Sequence, residues 1–254
     1  GRRVVRKAKS LGMNVLQNDP PRQRVEGGTE FVSFKDALQS DIVTFHVPLT
    51  LDGEDTTLHL IDDSLLQLIK PGAIVLNTSR GEVACNSALI KGTDSGLLSA
   101  VILDVWEGEP DVDLSVLSKV TLGTPHIAAY TQQGKVNATQ MVYESACRFL
   151  GQEPRSDVLE RIKISTDTAL QIPDSTTDLE SAISFAFRQI YPIGQDDSQL
   201  RKIASMDPDK RKHYFDDLRN NYTLRLEASA YRVQLADSQT AWASAFAELG
   251  FSVE

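Results

Sequence analysis

Three residues in the first half of the chain, Arg80, Glu109 and His126, are of the types that grip a carboxylate, orient an imidazole and move a proton. A guanidinium makes two parallel hydrogen bonds to a carboxylate, in a geometry lysine cannot copy. Histidine is the side chain best suited to proton transfer near neutral pH. A carboxylate beside an imidazole holds it in one tautomer. Taken singly, each residue has a plainer reading, as an arginine, a glutamate or a histidine of a surface turn. Their settings change the balance. Arg80 lies in "NTSRG", Glu109 in "LDVWEGEP" and His126 in "TPHIAAY", and each stretch follows an apolar run. His46, in "FHVP", is a rival for the proton-transfer role, whereas His59 and His213 fall elsewhere on this reading. Glu107 is a second carboxylate near Glu109, and Asp104 stands at the end of its apolar run.

Elements that would bring these stretches together can be read from the pattern. Helical segments "RRVVRKAKSLG", "SFKDALQS" (with Ser33 as cap), "DDSLLQLIKPG" and "NSALIKGT" alternate with "MNVLQND", "DIVTFHVPL", "AIVLNTS", "LLSAVILDV" and "KVTLGTPH". Continuous apolar strands alternating with helices signal a parallel sheet covered on both faces. Open α/β sheets bind ligands at the C-terminal ends of their strands, where Asp19, His46, Arg80, Asp104, Glu109 and His126 all fall. An acid in the place of Asp19 would accept ribose hydroxyls and repel a 2′-phosphate. The alternative is a turn aspartate before Pro20 and Pro21, and Arg22 and Arg24 weaken the case against NADP.

Bulk properties bound the rest. The chain has 254 residues, 41% of them hydrophobic, enough for a proper core. A net charge of −9 argues against a nucleic-acid surface. No apolar run is long enough for a membrane span, and no signal peptide opens the chain. Two cysteines, Cys85 and Cys147, make no disulfide framework and fit no metal-ligand spacing. A reducing cytoplasm is the simple reading. Residues 1–130 form the α/β domain, 131–151 a connecting amphipathic helix, and 155–254 a small α+β domain. That last region carries helices "DDSQLRKIAS", "PDKRKHYFDDLRNN" and "DSQTAWASAFAELG", with strand candidates in "LRLEASAYRVQ" and "FSVE".

The set "NTSRG … LDVWEGEP … TPHIA" resembles the D-isomer-specific 2-hydroxyacid dehydrogenase family. The resemblance implies a doubly wound, Rossmann-type sheet and NAD as cofactor. It implies that Arg80 binds the substrate carboxylate, that His126 is the acid/base on the 2-hydroxyl and that Glu109 pairs with it. Asp19, Val47, Thr78, Ser79, Arg80, Asp104 and Ala129 would line the NAD site, and Tyr130 would contact substrate. "NDPPR", "DVWEGEP" and "FDDLRNNYTLRLE" narrow the resemblance to a member acting on a phosphorylated 2-hydroxy acid, with residues 155–254 forming a homodimer interface. Other family substrates, and a non-catalytic NAD-sensing protein on the same scaffold, remain open.

The chain departs from the family pattern in three places. Ala129 stands where members usually have glycine, and Cys85 where they have an acid. The family's "GxGxxG" loop, its preceding strand and its substrate domain are not in the sequence. Gly1 resembles the last glycine of that loop, and the distance from it to Asp19 is near the offset of about 20 residues seen in dinucleotide folds. This predicts a sheet without its first strand, with a slot between "DIVTF"/"MNVLQ" and "AIVLN"/"LLSAVILDV" or a local rearrangement filling it, and no turnover by this chain alone.

Overall fold

The computed structural model describes residues 1–155 and 168–254. These residues divide into two compact units, Gly1–Ala128 with Ile193–Asn221, and Ala129–Pro192 with Tyr222–Glu254.

In the first unit four strands, β1 (Ile42–Phe45), β2 (Ala73–Asn77), β3 (Leu98–Leu103) and β4 (Leu122–Gly123), form one sheet in that order. Every ladder is parallel. Short helices make the crossovers: Asp63–Leu66 from β1 to β2, Asn86–Asp94 from β2 to β3, and Leu114–Leu117 from β3 to β4. Aspartates start two of them, because a carboxylate satisfies amides that the first helical turn leaves unpaired. Asp62 accepts from the Ser64 and Leu65 amides, both at 2.9 Å, and Asp113 from the Ser115 amide at 2.8 Å. Ser33 caps Phe34–Ala37 as its sequence predicts, accepting from the Asp36 amide at 3.1 Å. Val75, Val101 and Leu103 of the strands share a core with Leu65, Leu89, Trp106 and Val116 of the covering segments.

The strand order corrects the expected slot. β1 and β2 pair directly, with Ile42 opposite Ile74 and Phe45 opposite Asn77. The "DIVTF" strand therefore lies directly beside "AIVLN", at one edge of the described sheet. Apolar patterning marks a run as a buried strand but does not name its neighbour. The "MNVLQND" segment forms no ladder. Its pairing is a single bridge, Gln17 to Phe31, and Met13 and Leu16 stay 46% and 40% exposed. A helix the pattern did not announce, Pro20–Glu26, comes next, with Asp19 as cap and proline at its start. Proline suits the first helical position because its missing N–H has no partner there anyway.

Helix Ile193–Arg201 and helix Pro208–Asn220 belong to this unit too, although the sequence reading runs them with the C-terminal domain. The reason is burial: Leu200, Ile203 and Phe215 are fully enclosed in the core of the parallel sheet. Arg201 donates to the carbonyls of Leu117 (3.0 Å) and Val120 (2.7 Å), and Asp197 accepts from the Gly123 amide at 2.8 Å.

In the second unit the long helix Gln132–Phe149 is capped by Thr131, whose hydroxyl accepts from the Gly134 amide at 2.9 Å. Three parallel strands, β5 (Thr168–Gln171), β6 (Tyr231–Gln234) and β7 (Ser252–Val253), form its sheet. Helices Leu179–Ile190 and Ala243–Leu249 supply Ala182, Ala186, Phe246 and Leu249 to a core with Ile172, Val233 and Phe251. Neither β5 nor helix Leu179–Ile190 is announced by the sequence pattern. No helix among the described residues is long and apolar enough to cross a membrane.

Candidate active site

The C-terminal ends of β2, β3 and β4 carry the three residues of the proposed chemistry. β2 ends at Asn77, whose side chain shapes the turn leading to Arg80. Its amide donates to the Arg80 carbonyl at 2.8 Å, and its carbonyl oxygen accepts from the Ser79 hydroxyl at 2.7 Å and the Ser79 amide at 3.1 Å. Asn77 and Ser79 are buried, while Arg80 is exposed, with its Nη1 donating to the Ser79 carbonyl at 2.7 Å. Position 81 is glycine because nothing larger fits: a Cβ there would lie 2.0 Å from the Trp106 carbonyl oxygen. The loops after β2 and β3 are thus in direct backbone contact.

The loop after β3 presents Glu109. One carboxylate oxygen meets Nδ1 of His126, and the other accepts from the Trp106 amide at 3.1 Å. The Trp106 indole N–H donates to the Thr124 carbonyl at 2.9 Å, so the same residue ties this loop to the end of β4. The pairing leaves Nε2 as the ring nitrogen of His126 free to exchange a proton with a ligand.

Asp104 explains how His126 is held. It is 4% exposed, and its carboxylate accepts from the Thr124 hydroxyl (2.6 Å), the Ile127 amide (2.9 Å) and the Ala128 amide (3.0 Å). His126 has φ 55, a left-handed conformation unfavourable for a residue with a Cβ. Asp104 clamps the residues on either side of it. An aspartate at the end of a buried strand therefore serves the histidine loop. Its Oδ2, with one bond, keeps a lone pair for a further donor.

The rival histidine is placed differently. His46 meets the Thr44 hydroxyl at 3.0 Å rather than a carboxylate. Desolvation holds its imidazole below the ordinary histidine range. His59, expected away from the strand ends, instead faces Glu107. His213 pairs with Asp217 on its own helix at 3.3 Å. Val47 is partly buried against the core and Thr78 is half-exposed. Asp19 caps its helix through Oδ1, accepting from the Arg22 amide at 3.2 Å, and its Oδ2 lies 3.8 Å from the Arg22 guanidinium. In the second unit, Ala129 is exposed, and Tyr130 packs edge-on to Tyr222 at 6.0 Å with the Lys135 ammonium 4.0 Å above its ring.

Sequence reasoning does not find the roles of Asn77 and Gly81. The signals are present, as an amide closing an apolar strand and a glycine beside the arginine, but neither reveals its contact without the neighbouring loop. Trp106, expected from the sequence to fix its loop's path, ties that loop to the end of β4.

Residues 167–250 match a domain of unknown function, DUF3410. Over 92% of this chain, the erythronate-4-phosphate dehydrogenase of Bacteroides fragilis is 40% identical, and over 99% of it the erythronate-4-phosphate dehydrogenase of Escherichia coli O157:H7 is 37% identical. The chain spans 62% and 65% of the lengths of these two relatives. A solved glyoxylate reductase from Paecilomyes thermophila is 30% identical and covers 60% of this chain and 47% of its own, with a TM-score of 0.49. Residues 1–128, half of the chain, match the family described as "D-isomer specific 2-hydroxyacid dehydrogenase, NAD binding domain", and the chain belongs to that family.

Proposed function

We propose that this chain carries the NAD-binding domain and catalytic pair of an enzyme that oxidises 4-phospho-D-erythronate to 2-oxo-3-hydroxy-4-phosphobutanoate, a step toward pyridoxal phosphate, in a reducing cytoplasm. The observation that carries the reading is the Glu109–His126 pair at the strand ends, one loop away from Arg80. The identity to erythronate-4-phosphate dehydrogenases over most of the chain supports the substrate.

The residues present fit a dinucleotide. Helix Arg2–Ser10 carries no acid in its first turn. A helix start free of carboxylates suits a pyrophosphate. Asp19 would receive the ribose hydroxyls through the oxygen it does not use as a cap. Val47, Thr78, Ser79, Asp104 and Ala129 would line the remainder of the cofactor's path. Bound NAD would take up the hydride that leaves substrate C2.

The chain's own residues supply the rest. The Arg80 guanidinium holds the substrate carboxylate by paired hydrogen bonds and so fixes the face that C2 presents. Neutral His126 accepts the 2-hydroxyl proton at Nε2 as the C2–H bonding pair departs. Glu109 holds the Nδ1 proton and stabilises the imidazolium that results. Asp104 keeps the loop in place, and Tyr130 contacts substrate. Residues from 155 onward would join a second copy of the chain. In the second unit Phe246 is fully buried and Phe187 and Phe251 stack edge-on at 5.4 Å, so part of the aromatic set packs internally.

The test is NADH formation by the product of the full reading frame encoding this chain. 4-Phospho-D-erythronate should be oxidised with a kcat/KM well above that for 3-phosphoglycerate or glycolate. Preference for either of those would move the enzyme to another substrate of the family. NAD binding without any turnover would make it a cofactor-sensing protein.

A further inference from the structure

We propose that His59, Cys85 and Glu107 form a zinc site, separate from the catalytic pair. His59 Nε2, Cys85 Sγ and a Glu107 carboxylate oxygen all lie within 4.8 Å of one another. The three come from different segments: the connection after β1, the start of helix Asn86–Asp94 and the loop after β3.

The donors are held by the backbone around them. The His59 amide donates to the Glu82 carbonyl at 2.8 Å, the Ile61 amide to the Val83 carbonyl at 2.9 Å, and the Cys85 amide to the Ile61 carbonyl at 2.9 Å. This short lacing fixes the histidine and cysteine segments together over the buried side chains of Ile61, Val83 and Ala84. His59 has φ 51, which turns its ring by a backbone conformation that a residue with a Cβ rarely takes. Glu107 is oriented from behind: one oxygen meets His59 and the other accepts from the Asn86 amide at 2.9 Å. A ligand carboxylate braced through its second oxygen is the usual support of a metal site.

Donor chemistry selects the metal. Imidazole nitrogen, thiolate and one carboxylate oxygen suit Zn²⁺, whereas Mg²⁺ and Ca²⁺ demand oxygen shells. Zinc bonds of about 2.0–2.3 Å place tetrahedral ligands roughly 3.3–3.6 Å apart. Cys85 Sγ, which meets the Ser87 hydroxyl at 3.2 Å, would have to turn away from it to reach that spacing. His59 is exposed and Cys85 and Glu107 are partly exposed, so an ion can enter and water can complete the fourth position. Binding displaces the Cys85 thiol proton to solvent, so affinity rises with pH. The ion would brace the loop that carries Arg80 against the loop that carries Glu109.

The test is titration of the 254-residue chain with Zn²⁺, followed by calorimetry, and with Co²⁺, followed by absorbance. One ion should bind per chain, with a thiolate-to-cobalt charge-transfer band, and excess Mg²⁺ should not displace it. Loss of one direct ligand should cost at least the about 10–100-fold that loss of an outer-shell partner costs. C85S should therefore abolish the cobalt band and weaken Zn²⁺ by at least that factor. H59N, chosen because asparagine tolerates the left-handed backbone, should weaken it similarly. C147S should leave both readouts unchanged, and circular dichroism should show each variant folded. No thiolate band in the parent chain overturns the site, as does a band lost in C147S, Zn²⁺ displaced by Mg²⁺, or folded C85S and H59N binding Zn²⁺ as tightly as the parent.

Discussion

Glu109 spans His126 and the Trp106 backbone: one oxygen faces Nδ1 of the imidazole and the other accepts the tryptophan amide at 3.1 Å. Both oxygens must be acceptors. In Glu109→Gln one of them becomes an amide nitrogen, which faces either the Trp106 N–H or the imidazole N–H as a second donor. Turnover should fall, with about 10⁴-fold as the ceiling set by loss of an orienting carboxylate. The His126 tautomer, read by nitrogen NMR, should shift or become mixed. His126→Ala should lower kcat by about 10²- to 10⁴-fold with little change in NAD affinity. Near-parental activity in His126→Ala would transfer the role to His46.

Much of this arrangement is legible because side-chain chemistry and strand ends coincide in sequence. "NTSRG", "DVWEGEP" and "TPHIA" each follow an apolar run, and a parallel sheet gathers such ends on one edge. What the runs do not carry is adjacency. "DIVTF" reads the same whether its neighbour is "AIVLN" or another strand, and the direct β1–β2 ladder decides it. Asp104 shows the same limit. Its position suggests a ligand contact, but its partners lie on the "TPHIA" loop, and only the fold brings them together. Nothing in the sequence joins His59 to Glu107, so their meeting is visible only in the fold. Helices Ile193–Arg201 and Pro208–Asn220 are grouped with the wrong neighbours because amphipathic patterns show that a face is buried, not against what.

Asp104 accepts from one hydroxyl and two amides. Asp104→Asn keeps the volume but turns one oxygen into a donor, so at least one of these three hydrogen bonds is lost. A hydrogen bond to a charged group contributes about 1.5–3 kcal/mol. Denaturant unfolding should show a loss of that size. Activity should fall as well, since the left-handed His126 loses its clamp. Unchanged stability would show that the 124–128 loop is held by other contacts.

Asp19 has two duties on this reading, as helix cap and as the acid facing the ribose. Asp19→Asn separates them. Asparagine caps about as well as aspartate, so thermal stability should hold. The charge that repels a 2′-phosphate is lost, so the ratio of kcat/KM for NAD over NADP should fall. A preserved ratio would leave Asp19 as a cap alone.

Gly81 is the contact point between the loops that bear Arg80 and Glu109. A Cβ there would lie 2.0 Å from the Trp106 carbonyl oxygen and 2.6 Å from the Glu107 amide nitrogen, both main-chain atoms that cannot swing aside as a side chain can. Gly81→Ala must therefore part the two loops. Overpacking of this kind costs about 1–3 kcal/mol, and the displaced loops should lower turnover beyond what the stability loss explains. Gly194 is the control. It lies in helix Ile193–Arg201, and a Cβ there would meet nothing within 4 Å. Gly194→Ala should stabilise the protein by about 0.5–1 kcal/mol, because alanine loses less backbone entropy on folding. Opposite shifts in melting temperature are expected from the same chemical change. If Gly81→Ala melts with the parent, the loops have room to part, and the close approach is not what sets the spacing of Arg80 from the Glu109–His126 pair.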